Sequence, residues 1–204
     1  NLKQEYLLNN YIKTRNRTTE ICADLQPEDS VIQPASFVSP PKWHLGHTTW
    51  FFETFVLKQF QEDYQSYHPN FPFYFNSYYN HEGDRIERQN RGLMTRPLLK
   101  EVLDYRTYVD IHIEKILQIK VSDELLNVLE LGINHEQQHQ ELLAYDIKYI
   151  FGHQPAFPVY PSIFKIKKEY QDPGLINIEG GLKEIGFSGD GFHFDNEKEK
   201  HKVY

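Results

Sequence analysis

Two histidines one helical turn apart, in the run His135-Glu136-Gln137-Gln138-His139, are the first feature of this sequence able to do chemistry. Positions i and i+4 share one face of an α-helix, so both imidazoles can converge on a single ion. The same face runs through Val128, Leu131, Leu142 and Tyr149, which aims the pair at an apolar interior. Imidazole nitrogens directed into a core are costly unless something satisfies them. A second run, Trp43-His44-Leu45-Gly46-His47, places His47 on a face with Trp43, Trp50, Phe51 and Thr54, while His44 points sideways. His47, His135 and His139 are therefore the expected ligands: a bundle can bring one side chain from one helix against two from another.

Spacing leaves the metal open. His135 to His139 fits H-E-x-x-H, the zinc-hydrolase pattern in which Glu136 would be general base. The extended form of that motif needs a glycine and a third histidine further along the helix, where Leu142-Leu143-Ala144-Tyr145-Asp146 stands instead. Three histidines with open positions suit zinc hydration chemistry or non-haem iron equally. If iron is held by the triad, Glu136→Gln is expected to matter little. Arg85, Arg88, Arg91 and Arg96 fall within twelve positions of an otherwise acidic chain, and guanidinium forks suit carboxylates. Near a metal they would form a pocket for an anionic small molecule. The neighbouring Phe75, Tyr78 and Tyr79 could face a cationic group or simply pack beneath a long loop.

Four helices would position these groups. Residues 3–25 read as the first, although the polar stretch from Lys13 to Thr19 interrupts its apolar pattern. The second runs from Pro41-Lys42 to Phe60, with proline tolerated in the first turn because its missing N–H would be an orphan there. Residues 61–95 form a long aromatic and arginine-rich crossover, a length that usually signals function. The third helix spans Arg96-Pro97 to Lys120, with Leu99, Val102, Leu103, Val109, Ile113 and Ile116 as its apolar stripe. Ser122 caps the fourth, which runs to Phe151 and is closed by Gly152. Gly132 in its middle fits the close approach of another helix. Pro155, Pro158 and Pro161 then mark a linker. Four short alternating stretches read as strands: Ile163–Lys168, Leu175–Ile178, Leu182–Phe187 and His201–Tyr204.

Composition narrows the function classes. Twenty-two Lys and Arg against 29 Asp and Glu give a net charge of −7, which argues against a general nucleic-acid binder. No run of about 20 apolar residues is present to span a bilayer, nor any signal peptide, so a cytoplasmic protein is expected. The single cysteine, Cys22, sits in an apolar-periodic stretch without the electropositive surroundings a reactive thiol needs, and reads as a buried small hydrophobe. The chain starts at Asn1 and stops at Tyr204 in a strand pattern, so both ends are expected to be cuts in a longer protein.

Three blocks together resemble the sulfoxide synthases of the ergothioneine and ovothiol type, the hercynine oxygenases. The first is Pro41 to Glu53 around Trp43-His44-Leu45-Gly46-His47. The second is Asn76-Ser77-Tyr78-Tyr79 followed by Arg85, Arg88, Arg91-Gly92 and Thr95-Arg96-Pro97. The third is Asn134 to Glu141. The tail, at Ile178-Glu179-Gly180-Gly181, Glu184-Ile185-Gly186 and Phe194-Asp195-Asn196-Glu197, is similar to the start of that family's second domain, which resembles the formylglycine-generating enzyme. The resemblance implies a mainly α chain: a DinB-like four-helix bundle over residues 1–152, a Pro-rich linker over 153–174, and a truncated β-containing segment over 175–204. It implies non-haem Fe(II) on His47, His135 and His139, with His44 at a position the motif does not use as a ligand. It implies O2 as co-substrate, joining C2 of trimethylhistidine (hercynine) to the sulfur of cysteine or γ-glutamylcysteine. Arg85 and Arg88 match the arginines that hold the thiol's carboxylates, and Gln138 matches a glutamine that contacts the imidazole substrate. The family's catalytic tyrosine comes from the second domain, nearly all of which is missing here, so metal binding with poor or no turnover is expected of these residues alone.

Overall fold

The computed structural model describes residues 2–77, 84–160 and 174–204. The chain is mainly helical and divides into two compact units, Asn1–Pro161 and Ser162–Tyr204. None of the described helices is long and apolar enough to cross a membrane.

Helix α1, Leu2–Cys22, turns Leu7, Tyr11, Thr14, Arg15, Thr18 and Ile21 inward. The polar stretch that seemed to interrupt this helix is thus part of its inner face. Thr14, Arg15 and Thr18 keep the helical spacing and meet polar partners on other helices, so the stripe changes chemistry without losing its period.

Helix α2, Pro41–Phe52, is buried at every residue and forms the centre of the unit. It continues through one wide π turn, Glu53–Leu57, into the short α3, Lys58–Phe60. Glu53, fully buried, accepts from the Tyr64 hydroxyl at 2.7 Å, the Tyr67 amide at 3.0 Å and the Tyr105 hydroxyl at 2.6 Å. π turns insert one extra residue into a helix, and this one coincides with the carboxylate that gathers the crossover tyrosines.

The crossover holds a short helix, α4, Phe71–Phe75, which packs on α2. Phe75 lies so close that a Cβ on Gly46 would sit 2.3 Å from its ring. The crossover also contains a 3₁₀ segment, Arg88–Leu93, and is anchored where the buried Lys42 Nζ donates to the carbonyls of Met94 and Pro97, at 2.7 and 2.8 Å.

Helix α5, Leu99–Ile116, buries Val102, Tyr105, Arg106, Val109 and Ile113. Leu103, assigned to the apolar stripe from its hydrophobicity, lies at the surface; Tyr105 and Arg106 take the inward positions because each reaches a buried carboxylate. Helix α6, Asp123–His153, starts where Ser122 Oγ accepts from the Leu125 amide. It runs through Gly152, whose φ is not positive, so that glycine does not form the expected stop. Gly132 of α6 does mark a close approach: a Cβ there would lie 2.4 Å from the Phe52 ring.

In the second unit, β1 (Lys183–Ile185) pairs antiparallel with β2 (His201–Val203), with Glu184 opposite Lys202. Leu175–Ile178, expected to be a strand, forms none, and the expected strand Ile163–Lys168 lies outside the described residues.

Candidate metal centre

The central burial of α2 and its packing against α6 decide what the histidines can do. His47 from α2 meets His135 and His139 from α6, and one ligand atom from each lies within 4.8 Å of the others. Ring centroids are 5.1 Å apart for His47 and His135 and 4.7 Å for both other pairs. His47 and His139 are buried; His135 is half-buried. Their face of α6 is the border of the core rather than its centre, because Leu131 and Leu142 on that face are exposed. The central stripe is Leu129, Ile133, Glu136, Leu143 and Ile147 instead. This border position opens the triad onto a cavity of about 430 Å³, lined by the three histidines with Trp43, Ser77, Arg88, Arg91 and Gln138.

Burial pushes His47 and His139 well below the usual imidazole range, reinforced by neighbouring histidines, and it takes His135 down to about 4. All three are neutral at pH 7 and keep lone pairs for a cation. The His47 ring stacks on Trp43 at 4.5 Å and 11°, and its Nδ1 donates to the Phe75 carbonyl at 2.6 Å, which leaves Nε2 bare. His135 Nδ1 is buried with no hydrogen-bond partner among the described residues. An unpaired buried nitrogen costs about 1–3 kcal/mol, and a cation at the centre of the triad suits this donor set.

These residues lie inside a recognisable family span. Residues 10–143 match the DinB superfamily, a span that takes in α1 from Asn10 and all three histidines of the triad. The chain belongs to the DinB superfamily. No curated protein matches it. This DinB-superfamily chain brings His47, His135 and His139 together as their spacing implied, and sets Arg88 and Gln138 on the cavity wall. Arg85 is half-buried and, among the described residues, does not line the cavity; the second guanidinium there is Arg91. Arg91 lies 3.3 Å from the Trp43 ring centroid and donates to Ser39 Oγ at 2.9 Å. Phe75, considered as a face for a cationic group, is fully buried in packing; Tyr78 and Tyr79 lie outside the described residues.

Glu136 is not part of the triad's chemistry. Its carboxylate accepts from Arg15 at 2.9 Å, Arg106 at 2.9 Å and Thr18 at 2.6 Å, all in the bundle interior. Burial alone would raise its pKa, but the two guanidinium groups overcome that and hold it at about 2. One residue past His135 is about 100° around the helix, which carries Glu136 to the opposite neighbours. The H-E-x-x-H spelling is therefore not a zinc-hydrolase constellation here.

Sequence reasoning missed Asp146, buried beside the cavity. Its Oδ2 accepts from the Ser39 amide at 3.0 Å and contacts His44 Nε2 at 2.9 Å, while His44 Nδ1 lies 2.9 Å from His139 Nδ1. A signal was present: Asp146 follows His139 by seven residues, two turns along the same face.

Proposed function

We propose that His47, His135 and His139 hold one Fe(II) ion. The chain then serves as, or as part of, an oxygen-dependent sulfoxide synthase joining C2 of trimethylhistidine to the sulfur of cysteine or γ-glutamylcysteine. One observation carries the reading: three neutral imidazoles with converging ligand atoms share a cavity wall with two guanidinium groups. The motif blocks that resemble the hercynine oxygenases supply the substrate class. Bound there, Fe(II) would supply O2 chemistry and take a substrate thiol as its thiolate.

The protein's own residues would bind and orient. Arg88 presents a fork to a substrate carboxylate. Arg85, three residues earlier on the same segment, is proposed as the second carboxylate-binding arginine. Gln138, one residue before His139, offers an amide to the imidazole substrate from the cavity wall. Trp43, stacked on His47 and covered by Arg91, keeps solvent from one side of the ligand. Small anionic and zwitterionic substrates in the cytoplasm fit this arrangement better than nucleic acid or a membrane surface, given the net charge of −7.

A second reading is a DinB-like metal module that lacks catalysis or transfers thiols. It is favoured by the extent of the family match, which lies wholly within the helical unit. Anaerobic loading with Fe(II), elemental analysis, and oxygen uptake with trimethylhistidine plus each thiol separate the two. Substrate-dependent uptake with a sulfoxide in the mass spectrum supports the synthase. One iron per chain without turnover supports the module. Tight metal retention in His47→Ala would refute the ligand set.

A further inference from the structure

We propose that His44 and Asp146 are positioning residues for the metal centre, forming a hydrogen-bonded chain that fixes the tautomer of His139 and presents its Nε2 to the ion. This rests on the reading of the triad as a metal site.

Proton bookkeeping along the chain gives the direction. Asp146 as a carboxylate only accepts, so the 2.9 Å contact requires the proton on His44 Nε2. A neutral imidazole carries one N–H, and with that proton committed to Asp146 the Nδ1 of His44 is a bare acceptor. The 2.9 Å contact between the two Nδ1 atoms then needs a proton from His139. His139 is thereby set as the Nδ1–H tautomer, and its lone pair rests on Nε2. The chain is anchored at its far end, because Asp146 Oδ2 also accepts from the Ser39 amide just before α2.

The three ligands differ in how they are prepared. His47 is set by a backbone carbonyl, that of Phe75, and His139 by the His44–Asp146 chain. His135 has no such partner among the described residues. Ligating histidines characteristically pass their second N–H to an acceptor, which orients the ring and raises its basicity. The relay to Asp146 brings a full negative charge within two hydrogen bonds of an otherwise neutral ligand set. His44, which lies beside the triad yet turns both nitrogens to other partners, thus has a role without being a ligand.

Long-range 15N–1H spectra of the metal-free full chain test the tautomers directly, with His139 expected on Nδ1–H and His44 on Nε2–H. The second arm titrates Co(II) against a chromophoric chelator and reads its ligand-field absorption. His44→Phe is expected to lose about 10–100-fold in affinity with shifted bands. His44→Asn, whose amide oxygen falls near the imidazole Nδ1, is expected to keep most of the affinity. Asp146→Asn, which keeps the shape and removes the charge, should fall between them. If His139 carries its proton on Nε2, the inference is wrong. It is also wrong if His44→Phe binds Co(II) as the unmodified chain does while His47→Ala does not, and the metal site then still stands. Equal Co(II) binding by the unmodified chain and His47→Ala would bring down the metal reading and this inference together.

Discussion

Glu136→Gln separates the two meanings of the H-E-x-x-H run, and its effect can be worked out from the buried cluster. The carboxylate is fully buried and receives Arg15, Arg106 and Thr18. Glutamine has nearly the same shape but no charge, so two buried guanidinium groups lose their shared counter-ion; Arg15 retains Asp110 at 2.7 Å. Holding the carboxyl at about 2 against its usual 4.5 corresponds to about 3 kcal/mol. Removing one partner of a buried ion pair typically costs about 3–5 kcal/mol, which agrees. At roughly 2–4 °C per kcal/mol for a domain of this size, the melting temperature should fall by about 6–12 °C. The sign with pH follows from the depressed value. The contribution is complete above about 4.5 and is lost as pH falls toward 2, so the gap between the two proteins should narrow on acidification. Urea unfolding followed by circular dichroism at pH 7, 5 and 3.5 measures it, alongside metal content, which should not change. Equal stability at pH 7, or a hydrolytic activity abolished with stability intact, would refute the reasoning. The buried cluster therefore predicts a variant that leaves the metal centre alone and destabilises the fold, where the sequence by itself predicts little effect.

Three other outcomes are expected. Gly46→Ala forces a methyl to within 2.3 Å of the Phe75 ring and should cost about 1–3 kcal/mol in denaturant unfolding, weakening metal binding as the Phe75 carbonyl moves from His47. Tyr105→Phe removes a 2.6 Å donor from the buried Glu53 and should cost about 1–3 kcal/mol, whereas Tyr108→Phe, whose hydroxyl bonds an exposed carbonyl, should cost far less. Cys22 is half-buried rather than fully buried as its sequence setting implies, yet desolvation pushes its thiol up to about 12, so it should react with a disulfide reagent at pH 8 about 10³-fold more slowly than free cysteine; comparable rates would contradict that shift.

The histidine cluster was legible because it needs only helical spacing: His135 and His139 four positions apart, and an inward face for His47. The same arithmetic placed α1, α5 and α6 within a few residues of their ends, and the stretch expected as one helix from Pro41 to Phe60 is α2, the π turn and α3 in succession. What spacing could not show was the partner across each interface. The polar middle of α1 looked like a defect until Glu136, more than a hundred residues away, supplied a reason for Arg15 and Thr18 to point inward. Leu103 reads as core and Arg106 is absent from the apolar stripe for the same reason in reverse. Asp146 sat in phase with His139, but a carboxylate on an inner face gains meaning only beside His44. The π turn at Glu53–Leu57 left no clear mark, since its extra residue shifts the phase within a helix that is buried on every side.

The ion cluster around Glu136 has a consequence for alignment. Apolar stripes are poor rulers: two helices can slide by one turn, about 5.4 Å, and still bury much the same surface. Here Arg15 of α1, Thr48 and Thr49 of α2, Arg106 and Asp110 of α5, and Glu136 of α6 meet in one hydrogen-bonded knot. A slip of α1, α5 or α6 would strand charge in the interior, so such slipped bundles are excluded by about 3–5 kcal/mol rather than by fractions of one. Glu136 adjoins His135 and Thr49 lies two residues past His47, so the knot that fixes helix height also sets the level at which the three imidazoles face one another. Their meeting is inherited from a salt-bridged vernier just beneath them, in place before any ion arrives.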